Sequence, residues 1–306
     1  MRTFVAIAIS LYWVVGLARA CDMQLTNSSE RVVEYTTRAL DCLQNPPSDF
    51  YFDEEREDAF VRLINEERLR VGLKPLQVRQ MMRPAARYHS LDMGVNGFFA
   101  HISPQGSTPD FRLFSFDRTL IALASFENVA KMEMQWSCRN SIDPDLPCRS
   151  TTPPPSQFEG VVQKLHTSLM KSPGHRANIL SVKATHVSVG VAMSSSGIYV
   201  TQVFATKIGE FVQPLPLQLA AGSTVSIKPE LDDFRTAKLA IYNGSELIDM
   251  RGRRLPKQVM GDITLVVRGK RGILRRRDQQ LKRSTDYSYF LGPRLTISLR
   301  PENQES

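Results

Sequence analysis

The chain has 306 residues, 42% of them hydrophobic and 23% charged, which excludes a disordered, collagen-like or multi-span membrane protein and leaves room for two domains. The formal charge is +8, and +7 of it falls after position 210, where seventeen Lys and Arg stand against ten Asp and Glu. Two units with different surfaces are therefore expected.

Arg2 precedes the apolar run Phe4 to Leu17, and Ala18-Arg19-Ala20 puts small residues at both recognition positions of a signal-peptidase site. Residues 1–20 read as a signal peptide and the mature chain as secreted or periplasmic, since no later segment approaches eighteen consecutive apolar residues. Cys21 directly follows the expected cut, so a lipid anchor through Cys21 is the alternative. Four cysteines allow three pairings, and the local one, Cys21–Cys42 with Cys138–Cys148, is the most economical in an oxidising compartment. The absence of Cys-x-x-Cys argues against a zinc ribbon or a thioredoxin-type site.

Residues 21–52 form an N-terminal extension, broken at Asn45-Pro46-Pro47-Ser48. From Asp53 to Val71, Phe60, Leu63, Ile64 and Val71 fall at helical spacing, with acids crowded into the first turn and Gly72 just past the end, predicting a helix. A second helix is predicted over Arg79 to Gly97 from Met82, Ala85, Ala86, His89 and Met93. The turn-rich stretch Ser103-Pro104-Gln105-Gly106-Ser107 then places His101 at the start of a loop. Residues 131–157 read as an inserted surface loop carrying Cys138, Cys148 and Pro153-Pro154-Pro155. Ser156 and Glu159 fit a capping box for a third helix, lined by Phe158, Val161, Val162, Leu165 and Leu169 and ending at Ser172-Pro173-Gly174. Val187, Val189 and Val191, a Ser194–Gly197 turn, and the alternation from Tyr199 to Ala205 predict a β-hairpin.

Beyond Gly209 short strand-like runs follow: Val225-Ser226-Ile227, Leu239-Ala240-Ile241-Tyr242, Ile263 to Val267 and Leu295 to Leu299, separated by turns such as Asn243-Gly244. Residues 210–306 are expected to be a basic, β-rich domain. Within it Arg251-Gly252-Arg253-Arg254, Arg268-Gly269-Lys270-Arg271 and Arg275-Arg276-Arg277 form three basic runs. The plain reading is a solvated surface; the functional one is contact with an anionic envelope polymer or lipid headgroup through Arg253, Arg254, Arg271, Arg275, Arg276 and Arg277. Nucleic acid is a poor partner, because aromatics are not interleaved with these arginines as base stacking requires.

Several blocks carry a family resemblance. They are Leu63 to Arg68 with Gly72 to Leu76, Ala86 to Met93, Phe99 to Pro104, Glu127 to Ala130, Ser172 to Leu180, and Val189 to Ala192 with Tyr199 to Phe204. In that order the blocks resemble the CAP superfamily of cysteine-rich secretory, antigen 5 and pathogenesis-related 1 proteins, in its shorter bacterial form. The resemblance implies an α+β chain: a CAP-type α-β-α sandwich over residues 53–209, followed here by the small all-β domain. It also implies a cleft in which His101, Glu127 and His175 fill three of the four family positions, the fourth falling near Ser172 and the usual aromatic appearing as Leu169.

Two imidazoles and a carboxylate could hold zinc or another divalent metal, since zinc accepts nitrogen and oxygen ligands. Three functions follow. The leading one is an exported binding protein with a metal or lipid-like ligand in the cleft, docked to an anionic envelope surface. The second is a metal-dependent hydrolase or peptidase with Glu127 as general base. The third is a non-catalytic interaction module in which Glu127 only holds loops together. His89 reads as a packing residue on its helix face, and His166 and His186 as ordinary surface or edge residues. The absence of Gly-x-Ser-x-Gly disfavours a serine hydrolase of that type.

Overall fold

A computed structural model describes residues 21, 23, 31–133, 160–277 and 280–299. The expected signal peptide, the Cys138–Cys148 pair, the insertion beyond Glu133 and the Ser156/Glu159 capping box lie outside the described residues.

Within the N-terminal extension 21–52 the chain forms helix α1 (Val32–Gln44) and strand β1 (Tyr51–Phe52). Val32, Tyr35, Thr36, Ala39 and Cys42 recur at three- and four-residue steps and bury one face of α1. Helix α2 (Glu54–Arg70) begins as predicted, with Asp53 accepting a hydrogen bond from Arg56 N at 2.9 Å and three glutamates in its first turn. Strand β2 (Gln77–Val78) and a 3-10 turn lead into α3 (Arg83–Val95). Unanticipated α4 (Pro109–Phe116) follows, capped by Thr108, and then the 14-residue strand β3 (Leu120–Glu133), whose end takes up the first residues of the expected insertion.

The third predicted helix is α5 (Val161–Lys171), and it stops where expected. Pro173 then starts a new helix, α6 (Pro173–Ile179), because a proline at the first helical position loses no hydrogen bond. The predicted hairpin is β4 (His186–Ser194) and β5 (Gly197–Phe211), the latter running past the 209/210 boundary. The C-terminal region adds β6 (Gln218–Ala220), β7 (Pro229–Leu231), β8 (Arg235–Asn243), β9 (Glu246–Asp249), β10 (Gly261–Arg277) and β11 (Gln280–Ser298). The expected strand Val225-Ser226-Ile227 does not form. Val225 is drawn into the core instead, and only Thr224 makes an isolated bridge, to Arg254.

The described strands form one sheet, β1-β4-β5-β3-β11-β10-β8-β9 with β2, β6 and β7 beside this path, so the C-terminal strands continue the sheet that the helices cover. They join through the Leu291–Ala122 pair of β11 with β3, and through β7, which sets Leu231, Glu230 and Pro229 opposite Gly209, Glu210 and Phe211 of β5. On one face α2, α5 and α6 pack Phe60, Ile64, Leu165, Leu169 and Ile179 against Val187, Val189, Val191, Val200 and Phe204. On the other, Met82, Ala86, Leu113 and Phe114 meet Leu120, Val203 and Ala205, giving the α-β-α layering. The α3–β4 approach is so close that a Cβ on Gly190 would lie 2.2 Å from Arg87 N. A third core gathers Leu239, Ile241, Ile263, Leu265, Val267, Phe290, Leu295 and Ile297 from the C-terminal strands with Ile121 and Phe211 from β3 and β5.

Cys21 and Cys42 are disulfide-bonded, pinning the start of the extension to α1. A lipoprotein would carry its lipid on the Cys21 sulfur, which here is committed to Cys42, so the lipid-anchored alternative is set aside. Intact-mass comparison of reduced and non-reduced protein should show the bond. Closing a loop of sequence separation 21, it should contribute about 3 kcal/mol, read as the loss of unfolding free energy in the Cys21→Ser, Cys42→Ser variant. No helix among the described residues is long and apolar enough to cross a membrane.

Candidate functional site

Glu127 lies midway along β3, at the start of its buried run to Ala130, and its side chain is only 2% exposed. Such a carboxylate needs partners. Its Oε1 accepts from His101 Nδ1 at 2.9 Å and its Oε2 from Arg112 Nη2 at 2.7 Å. Arg112, equally buried, also donates to the backbone carbonyls of Ser107 at 2.6 Å and His101 at 2.8 Å. One guanidinium thereby fixes both the acid and the loop that presents His101. Burial alone would raise the Glu127 carboxyl, but the His101 hydrogen bond and the Arg112 charge outweigh it and hold the carboxyl below its ordinary 4.5.

His89 closes the back of this cluster. It is fully buried, donates from Nε2 to Ala100 O at 2.9 Å, and sits 3.9 Å from Glu127. Burial, reinforced by the Arg112 charge, pushes its imidazole down to about 3, so it is neutral at physiological pH. The packing role read from sequence holds, with one addition: His89 anchors the carbonyl directly before His101. His166, expected at the surface, is instead buried on the core face of α5. His186 opens β4 half-buried and, contrary to the edge expectation, lies between Gln77 of β2 and Ala205 of β5.

His175 sits in the first turn of α6. An amide ladder brings α6 to β3: Asn178 Nδ2 donates to Glu127 O at 3.1 Å and to Asn128 Oδ1 at 2.9 Å, while Asn128 Nδ2 donates to His175 O at 3.2 Å. Burial, then the His101 charge, lower the His175 imidazole. Ser172, near the fourth family position, precedes α6 without a side-chain capping bond, and Leu169 is buried in the core.

Because an ionised carboxylate only accepts, Nδ1 of His101 carries the proton toward Glu127, and Nε2 is left as a free acceptor when the ring is neutral. The His101 side chain is 47% exposed, at a cleft of about 330 Å³ lined by Thr108, Pro109, Asp110, Ser125, Phe126 and Glu127. Phe99 and Ile102, about half exposed, flank it in sequence.

The structure joins His101 to Glu127 directly and His175 through its backbone. Among the described residues no group of three or more His, Cys, Asp or Glu side chains is placed to hold a metal ion. Both Glu127 oxygens are engaged, one by a permanent cation, so the residues do not fit a three-ligand metal centre. The same engagement leaves Glu127 unsuited to take up a proton near neutral pH. Arg112 was not anticipated. Its signal is a lone cation inside the apolar run Phe111, Leu113, Phe114, Phe116, where a charge must be paired.

Residues 61–204 match the model of the cysteine-rich secretory protein family, CAP. YkwD of Bacillus subtilis (strain 168) is 34% identical over 140 residues, covering 46% of this chain; the chain spans only 44% of that relative's length. Two solved structures are similar at a TM-score of 0.38. An extracellular protein containing an SCP domain from Bacillus anthracis str. Ames, 24% identical, is matched over 54% of this chain and 43% of its own. An outer surface protein of Borrelia burgdorferi, 12% identical, is matched over 51% and 98%.

Proposed function

From the premise that residues 61–204 form a CAP domain of the bacterial type, we propose that this chain is an exported binding protein whose cleft takes an amphipathic ligand. The polar end of the ligand meets the open edge of His101, with His175 nearby, and its apolar part lies against Phe99 and Ile102. The observation that carries this reading is the Arg112–Glu127–His101 chain of hydrogen bonds. It spends the carboxylate on orienting the histidine and leaves the histidine's other nitrogen facing the cleft, so Glu127 is a positioning residue. Export is supported by the signal-like residues 1–20 and by the Cys21–Cys42 bond, which persists in oxidising compartments.

The test is fluorescence titration of residues 21–306 with a dansyl-labelled fatty acid, alongside calorimetric titration with zinc. Saturable fatty-acid binding is expected, weakened about tenfold or more in His101→Ala, His175→Ala through loss of the polar contact. Glu127→Gln leaves one carbonyl oxygen where His101 Nδ1 and Arg112 Nη2 need two acceptors, so it should also weaken binding, by less than the double histidine variant. Site-specific zinc binding lost in the double histidine variant would instead favour a metal site. Hydrolysis of peptide substrates that Glu127→Gln abolishes would favour the hydrolase.

A further inference from the structure

We propose that the cavity beside the C-terminus of α2 holds a phosphate group, free or carried on a small organic ester, at the open edge of Arg68 and the ammonium of Lys74. This cavity shares no lining residue with the His101 cleft, and the proposal is independent of how that cleft is read.

The site begins with a helix end. Gly72, at φ +77°, takes the left-handed conformation that stops α2 and turns the chain back, with Leu73 N donating to Arg68 O at 2.9 Å. The turn sets the Lys74 carbonyl against Arg68 Nε, also at 2.9 Å. Arg68 Nη1 donates to the carbonyls of Ile179 and Ser181, at 2.8 and 2.9 Å, where α6 ends. Arg68 is only 2% exposed, so one buried guanidinium clamps two loops together.

What this clamp lacks is an anion. Arg83 and Arg112, similarly buried, each have a carboxylate within 4.0 Å. Arg118 has none among the described residues, but it spends Nε, Nη1 and Nη2 on carbonyls. Arg68 differs from all three. Among the described residues it has no carboxylate within 4.0 Å and no hydrogen bond to Nη2, and Nη2 is not sealed from solvent. Burial lowers its guanidinium from the ordinary value with no carboxylate to offset the shift. A buried charge without a counter-charge is costly, and an anion reaching Nη2 removes that cost.

The cavity that gives access has a volume of about 560 Å³, within the range of small-molecule sites. Lys74 and Lys207 line it with Arg68, against one acid, Asp232. Lys207 Nζ lies 3.9 Å from both Asp232 and Glu210, so those charges offset one another. The Lys74 ammonium has no partner among the described residues, which leaves Arg68 and Lys74 as the uncompensated pair. Their chemistry selects the anion. With Nε and Nη1 spent, Arg68 cannot offer the parallel fork that suits a planar carboxylate. One guanidinium nitrogen and one ammonium are separate point contacts, which suit the tetrahedrally disposed oxygens of phosphate. Leu73, Pro75 and the exposed Val182 add an apolar wall for a short organic substituent.

The experiment is calorimetric titration of residues 21–306 with inorganic phosphate, butyl phosphate and butanol at fixed ionic strength in chloride. Saturable binding of both phosphates, tighter for the butyl ester, and none of butanol is the expected result. Tighter binding of inorganic phosphate would assign the site to the free ion. Lys74→Gln should weaken binding about tenfold, and Lys74→Glu should abolish it. Lys74 is exposed, so both variants should keep the fold, which circular dichroism checks. Arg68→Gln should lose binding too, but it also frees two loops, so the Lys74 variants decide the matter. His101→Ala, His175→Ala and the distant Arg62→Gln should bind like the parent. Parent-like affinity in Lys74→Glu, loss of binding in the double histidine variant, or no binding by the parent would overturn the proposal.

Discussion

Replacing Arg112 with methionine should lower the unfolding free energy by about 3–5 kcal/mol at neutral pH, because it strands the Glu127 carboxylate in the interior with His101 as its remaining partner. The pH dependence is the more discriminating readout. In the parent the Glu127 carboxyl is held below 4.5, so its contribution to stability is fully present above that value and is lost as pH falls through the lower folded value. Without Arg112, burial is opposed only by His101 and His89, so the folded value rises and the variant should lose less stability than the parent as pH falls from neutral to below 4.5. Urea unfolding followed by circular dichroism at both pH values measures this, and parallel pH profiles for parent and variant would refute it. Arg112→Met combined with Glu127→Gln should recover much of the loss, since no buried charge is then unpaired. Ligand binding should remain impaired even there, because the His101 and Ser107 carbonyls lose the guanidinium that holds the loop.

How much of this was legible in the sequence depends on whether each element shows one face to water. Helices α2 and α3 and the β4–β5 hairpin could be read from periodicity because their patterns end at glycines, prolines or serine turns. Helix α4 could not. In eight residues it buries Arg112, Leu113, Phe114, Ser115 and Phe116 in succession, squeezed between α3, β3 and β11, so no solvent stripe marks its period. Strand β3 is interior to the sheet and covered along much of both faces, which erases alternation. His101, Glu127 and His175 were found through family resemblance, since their separations follow no local spacing rule. Arg112 and the Asn128–Asn178 ladder, which hold them in place, emerge only when β3, α4 and α6 are assembled. The joining of the two sheet regions was equally invisible, since Ala122 meets Leu291 through pairing that no short window contains.

That junction gives the second large effect. Arg118, nine-tenths buried at the end of α4, donates to the Phe114 and Ser115 carbonyls at 3.2 and 3.4 Å, closing the helix C-terminus. The same guanidinium reaches Leu215 O at 3.0 Å, Pro216 O at 2.7 Å and Arg294 O on β11. It is thus a node where α4, the segment leaving β5 and the C-terminal sheet meet. Burial brings its guanidinium down to about 10, which still leaves it charged at neutral pH. Arg118→Met would fill much of the volume but leave buried carbonyls without a donor. At about 1–3 kcal/mol for each orphaned group, less than additively, the loss should be about 3–5 kcal/mol. Arg118→Lys should recover under half, since an ammonium cannot reach carbonyls on three sides of a planar fork. The node also predicts where the structure loosens. Thermolysin should cut the variant first in the 212–217 segment, which Arg118 holds through the Leu215 and Pro216 carbonyls and through its own carbonyl to Leu215 N at 3.0 Å. Cleavage elsewhere, or unfolding indistinguishable from the parent, would show that the continuous sheet alone joins the two regions. Selective release of that segment would show that the buried arginine couples the C-terminal strands to the CAP domain.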